Sequence, residues 1–178
     1  MAIKQFNLRN GQRAERKMLV TIVEWTEQGS GTSTETVREI LGTRTEDSSI
    51  AYNPDISTTT DIRGNNYTDI EKTQPQQEFD PYLVLGGSRL GAFLNDLRRR
   101  NAVSEFDQFT VYVVTMFIGD STNGYEAEKH TDCTIVVNQF GGDTKVNMPI
   151  TVYYSNKITT GKVDKIAEDF VFTPDVSV

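Results

Sequence analysis

The only histidine of the chain, His130, stands three residues before its only cysteine, Cys133, in the stretch EAEKHTDC, with Glu126, Glu128 and Asp132 alongside. Imidazole and thiolate are ligands that zinc favours, but a zinc site takes at least three well-placed protein donors. No second histidine or cysteine exists to complete a set. The better reading is a polar turn entering a strand. The neighbouring carboxylates Glu168–Asp169 and Glu46–Asp47 have the type for acid–base work, which needs two groups held across a cleft in different environments. In a chain of net charge −7, acidic neighbours also arise by chance. TTGKVD pairs a glycine with a lysine, yet lacks the earlier glycine and the following hydroxyl residue of a phosphate-cradling loop. A G-x-S-x-G element is absent, and one histidine leaves little room for a Ser–His–acid set. Asn66-Tyr67-Thr68 matches a glycosylation sequon, with no other sign of secretion. These residues point to a protein that is not an enzyme and takes no metal and no cofactor.

Composition narrows the class further. At 178 residues, 37% hydrophobic and 24% charged, the chain suits one globular domain with a substantial core. No apolar run approaches the roughly 18 residues of a membrane span, and the N-terminus has no apolar signal segment. A single cysteine excludes an intrachain disulfide and fits a reducing compartment. The expectation is a soluble protein made inside a cell, without membrane contact. Residues 1–17 carry Lys4, Arg9, Arg13, Arg16 and Lys17 against Glu15 alone, leaving 18 − 5 = 13 basic and 25 − 1 = 24 acidic residues elsewhere. An acidic body argues against tight sequence-specific DNA binding, where neutralising phosphates dominates affinity. A basic arm beside an acidic body suggests contact between copies; a solvated basic tail explains the charge equally well.

The elements that would position any site read as mostly β. KMLVTIVEWT (17–26) is β-branched and aromatic, hence a strand. GSGTST is a turn or loop, and TVREILGTRT a second strand, with Val37, Glu39 and Leu41 on one face. FTVYVVTMFI is apolar on both faces, which predicts a central strand covered on both sides. TIVVNQF and TKVNMPITVYYS read as a hairpin around Gly141–Gly142. In its second strand Val146, Met148, Ile150, Val152 and Tyr154 point inward, Lys145, Asn147, Thr151 and Ser155 outward. Pro149 cannot donate to a ladder, which predicts an edge or a bulge there. KITTGKVDK and AEDFVFTP supply one or two more strands.

One segment, 88–101, reads as a helix: Leu90, Phe93, Leu94 and Leu97 recur at i, i+3, i+4 and i+7 and should form its buried face. Ser88 is the N-cap and Asn101 the terminator. Arg98, Arg99 and Arg100 complement the dipole of the last turn rather than forming a nucleic-acid patch. The predicted architecture is a β-sandwich or rolled sheet of about seven strands with one amphipathic helix. It has an N-terminal arm (1–17), a single domain (18–174) and a short tail (175–178). Between strands two and three lies a polar stretch, 48–81, read as a long loop; such loops are usually functional or disordered.

That stretch carries a resemblance. EDSSIAYNPDISTTTDIRGNNYTDIEKTQPQQEFDPY, followed by GSRLGAFLNDLRRRN, resembles the tail tube (major tail) proteins of tailed bacteriophages, over roughly residues 35–165. The resemblance implies a β-sandwich with one helix, a flexible arm and a long loop. It also implies hexameric rings stacked into a hollow tube through which a genome passes. Partners would be further copies and other tail proteins (tape measure, terminator, baseplate or tip proteins), with DNA only as passing cargo. The location would be the virion tail, assembled in the bacterial host cytoplasm. On this reading the loop residues Asp55, Thr58, Thr59, Thr60, Asp61, Asn65, Asn66, Tyr67, Thr68, Gln74 and Gln76 meet neighbouring subunits, as do arm residues Arg9, Arg13 and Arg16. A polar segment of this kind cannot fold alone but can order on a partner. Two other readings stay open. One is the tube of a phage-derived particle carrying no genome. The other is an unrelated β-sandwich binding module using Trp25, Tyr67 and Tyr82 as stacking platforms.

Overall fold

A strand that is apolar on both faces must lie between two layers, and β7 (Phe109–Asp120) does. In the computed structural model, which describes residues 4–28, 33–45 and 48–175, it runs between β1 (Leu19–Gln28) and β8 (Gly124–Val137), antiparallel to both. Val111 and Val113 on one face and Tyr112 and Val114 on the other belong to two different apolar clusters. The expectation of a central strand covered on both sides holds.

The described residues form eleven strands and one α-helix. A nine-stranded antiparallel sheet follows the order β2–β1–β7–β8–β9–β6–β3, with β2 spanning Thr34–Ile40 and β3 spanning Ile50–Ala51. β6 is Gln76–Phe79 and β9 Ile150–Tyr153, while β10 (Ile158–Val163) and β11 (Phe172–Pro174) extend the sheet from β8. The sheet is open, ending on β2 and β3. It is bent at β8, where Asp132 adopts φ 56°. Before that residue β8 pairs with β10, and after it with β9, so one strand serves both arms of the bent sheet. The β9–β6–β3 flap thereby faces β1 and β7. Val23 and Val113 share one cluster with Phe79, Ile135 and Val152. On the opposite face Ile22, Tyr112 and Val114 are covered by Phe170, whose ring meets Tyr112 edge-on at 4.8 Å.

The helix α1 (Arg89–Arg100) forms as its caps and period dictate. The Ser88 hydroxyl accepts from the Gly91 N–H, and Asn101 closes the end with φ 54° and ψ 40°, a conformation Asn tolerates. Glu39 of β2 places a carboxylate at the N-terminus, accepting from Leu90 N–H at 3.0 Å and Ser88 Oγ at 2.8 Å, where the dipole favours a negative charge. Leu90, Leu94 and Leu97 are fully buried. Phe93 is only half-buried, stacked on Trp25 with centroids 6.0 Å apart. The arginine turn is held by the protein itself. Arg100 bridges Asp96 and Glu105, and Arg98 lies over the Phe140 ring.

Several expectations are corrected. EAEKHTDC is not a turn entering a strand but the middle of β8; its polar residues alternate with buried Ala127 and Cys133, and His130 is itself buried. β9 is internal, flanked by β8 and β6, and it begins at Ile150, so Pro149 precedes it instead of marking an edge. Met148, Ile150, Val152 and Tyr154 point inward as expected, but Val146 is exposed and Thr151 is buried, satisfied by Asn138 at 2.8 Å. The stretch 48–81 is not a long loop. It holds β3, β6 and a separate two-stranded sheet, β4 (Pro54–Thr60) with β5 (Asn66–Thr73). The seven remaining strands are those read from the sequence. Glu46–Asp47, the tip of the Gly/Ser turn at 29–32 and the tail beyond Asp175 lie outside the described residues.

A candidate assembly surface

The β4–β5 hairpin is rich in β-branched residues, and among the described residues its two strands pair only with each other. Thr58 opposes Thr68, Thr59 opposes Tyr67, and Thr60 opposes Asn66; a bulge lies between Asp55 and Ile56. β-branched side chains favour a pleated strand. Asp61 organises the tip: its carboxylate accepts from the backbone N–H groups of Asn65 (2.9 Å) and Arg63 (2.8 Å), and from Asn65 Nδ2 and the Tyr67 hydroxyl. These donors, Asn65 foremost, hold its pKa down to about 2. Gly64 turns the chain at φ 83°. At the base, Gln74 N–H donates to Tyr52 O and Asn53 Nδ2 to Gln74 O, after which Gln76 enters β6 between Ala51 and Tyr153.

The hairpin rests on no core. Both strands lie off the main sheet, and neither belongs to either apolar cluster. A lone two-stranded hairpin is at best marginally stable in water. Yet Ile56 and Ile70, directly opposed across it, are 56% and 66% exposed, and Ile62 at the tip is wholly exposed. Exposed apolar groups clustered on one element mark an interaction surface more often than isolated ones do. Of the residues assigned to the loop, Asp55, Thr58, Thr59, Thr60, Asp61, Asn65, Asn66, Tyr67 and Thr68 are gathered on this hairpin. Gln74 and Gln76 sit at its base. The sequence reading missed Ile56, Ile62 and Ile70. Their signal was present as an alternating, β-branched run either side of a Gly-containing tip.

The arm is exposed but fastened at both ends. Near its start, Lys4 pairs with Glu126 and Asp175, Phe6 meets Phe117 edge-on, and Asn7 bonds to the end of β7. Further on, Arg16 donates to Leu19 O and Ser48 O, both at 2.6 Å. Arg9 and Arg13, between these anchors, are exposed.

Other concavities offer less chemistry. A groove of about 810 Å³ beside α1 is floored by Trp25, Phe93 and Phe109, but its charges are engaged: Arg89 with Glu27 and Glu35, Arg100 with Asp96 and Glu105. Trp25 and Tyr82 are buried, which removes two of the three stacking platforms of the binding-module reading; Tyr67 alone is exposed. His130 Nε2 lies 3.3 Å from Glu128, and the buried Cys133 thiol, its pKa raised by desolvation, donates to His130 O. Among the described residues no three His, Cys, Asp or Glu side chains converge to hold a metal. Asp169 is taken up by Lys165, and Glu168 is exposed. No helix among the described residues is long and apolar enough to cross a membrane.

No family model and no curated protein matches the chain. Among solved structures it is similar to a chain of the anti-feeding prophage baseplate, determined by cryo-EM with six-fold symmetrisation. The identity is 12%, the match covers 88% of this chain and 99% of that one, and the TM-score is 0.46.

Proposed function

We propose that the chain is a structural subunit that associates with its own kind into stacked hexameric rings, the hollow tail tube of a phage or phage-derived particle. The observation that carries this reading is the β4–β5 hairpin: an ordered, coreless element with its isoleucines bare and, among the described residues, both outer edges unpaired. Open strand edges are liabilities for a solitary protein and templates for a neighbour. The mainly β plan with one helix and an arm agrees with the resemblance of residues 35–165 to tail tube proteins. A net charge of −7 suits a conduit wall, because like charge keeps passing DNA from adhering. Other tail proteins would be its further partners, and the virion tail its location.

The test is the assembly state of the purified full chain. Light scattering and negative-stain images over rising concentration should show rings or tubes. A monomer that persists at high concentration overturns the reading.

A further inference from the structure

Within the assembly proposed above, the structure carries one specific contact. The arm segment between its two anchors is a tight turn. Gln12 N–H donates to Arg9 O at 2.9 Å, Arg9 N–H donates to Gln12 Oε1 at 3.1 Å, and Gly11 takes φ 79°. Arg9 and Arg13 flank this turn, and among the described residues neither guanidinium has a hydrogen bond or ion pair. Glu15, the acid of the arm, is engaged by Lys17. Two cations are therefore displayed on a loop whose path is already fixed, which lowers the ordering cost of binding.

The hairpin presents the opposite charge. Between 54 and 73 it carries Asp55, Asp61, Asp69 and Glu71 against Arg63 and Lys72, a balance of 2 − 4 = −2. Asp61 is used internally by the tip. Asp69 and Glu71, two residues apart on β5, are exposed and make no bond within the described residues. They flank Ile70, itself opposite Ile56. Successive side chains of a strand point to opposite faces, so Asp69 lies on the face away from Ile70, and an arginine seated there would place its fork on a carboxylate.

We propose that the Arg9–Arg13 turn of one copy docks on the Asp69–Glu71 face of the β4–β5 hairpin of a second copy. The two patches are different surfaces, so each copy both gives and receives the contact. Joined head to tail, such contacts are heterologous and propagate into rings or filaments; exchanged reciprocally between two copies, they close a two-fold dimer instead. Nucleic acid is a poorer occupant for the turn, because two free cations on an acidic chain neutralise few phosphates.

Charge reversal tests the pairing. Arg9→Glu with Arg13→Glu, and separately Asp69→Arg with Glu71→Arg, should each raise the concentration for half-assembly by about tenfold or more. The four changes together should bring it back to within about threefold of the wild type. All four positions are exposed, so thermal unfolding should be unchanged in every variant. A second measurement does not depend on full assembly. Arg13→Cys and Glu71→Cys chains, mixed under mild oxidation, should form a mixed disulfide dimer, since the native Cys133 is buried. If the wild type assembles while either reversed pair assembles like it, or the fourfold variant is no better than the worse pair, or no cross-link forms, this inference is overturned. Absence of both assembly and cross-link overturns the proposed function as well.

Discussion

Gln77 is the residue on which the two halves of the bent sheet are pinned, and replacing it by leucine should be costly for a reason that can be counted. It is fully buried on β6. Its side-chain oxygen accepts from Thr21 Oγ1 of β1 at 3.0 Å and from the Tyr154 hydroxyl beyond β9, while its Nε2 donates to Ser48 O at 3.2 Å. Ser48 O keeps a second donor in Arg16. Gln77→Leu therefore removes the shared acceptor of two buried hydroxyls and leaves them only each other, at about 1–3 kcal/mol each. Some of this is offset because the amide itself no longer has to be desolvated, leaving a loss of about 2–4 kcal/mol. For a domain of this size that is a fall in Tm of roughly 4–16 °C. Urea titration followed by the fluorescence of the sole tryptophan, Trp25, reads the loss directly, at unchanged slope. Removing the partners too, as Thr21→Val and Tyr154→Phe in the Gln77→Leu background, should recover much of it, because an apolar cluster of similar shape leaves nothing unsatisfied. A single variant costing under about 1 kcal/mol, or a triple variant worse than the single, would refute the account.

Leu94→Ala empties a site with no solvent exposure under α1 and should cost about 2–5 kcal/mol in the same titration. Deleting Thr58 to Thr68 should leave a folded monomer that cannot polymerise, since the hairpin lies outside both core clusters; loss of the body's cooperative unfolding would contradict this. By hydrogen exchange, hairpin amides should exchange quickly in lone subunits, protected only by local strand pairing, and slowly once assembled. The Asp61 carboxyl is depressed to about 2 from a usual 3.8, so its contribution to tip order is complete above about pH 4 and lost as pH falls through 2. NMR titration of that carboxyl together with the Asn65 amide should show one shared transition in this window.

What was legible in the sequence follows from which physical signal each element leaves. The helix left several that agree: a leucine stripe, Ser88 before it and Asn101 after it. β7 was legible because a strand covered on both faces must be apolar on both. The hairpin left only a local signal, β-branched runs either side of Gly64, and was passed over because hydrophobic periodicity reports burial, and β4 and β5 bury almost nothing. Their order comes from the ladder between them and from Asp61 at the tip, neither of which depends on an apolar face. β8 was misread for a related reason. His130 faces inward in a polar sequence, so EAEKHTDC looks like a surface turn although it is the strand about which the sheet bends. Pro149 misled in the other direction: it ends a connection instead of interrupting a ladder. Most of the loop residues expected at an interface lie on one exposed element, whose isoleucines, the residues with most apolar area left bare, were passed over.

On the proposed reading, stability and association rest on different residues of this chain. The body covers both faces of its central strand by itself, through α1 on one side and the Phe170 segment on the other. Its inner fastening is apolar contact and short-range hydrogen bonding, which added salt scarcely weakens. The hairpin and the arm turn stand outside that body, and among the described residues the arm side chains without a polar partner include Arg9 and Arg13, both exposed. Exposed pairs are each worth roughly 0–1 kcal/mol and are screened over about 10 Å at 0.1 M salt. In the proposed ring, six copies would repeat every such pair, so small terms would add along the assembly while the fold of each copy stayed indifferent to them. Added salt should therefore disperse assemblies well before it lowers the unfolding temperature of the subunit. Replacing Arg9, Arg13 and Arg16 together by glutamate should imitate high salt in dilute buffer. The comparison separates two roles within the arm. Arg16 also ties the chain to Leu19 O and Ser48 O, so the triple variant should lose some thermal stability that the Arg9, Arg13 pair alone keeps. If the triple variant assembles like the wild type across a salt series, the arm plays no part in association and its arginines serve only the subunit that carries them.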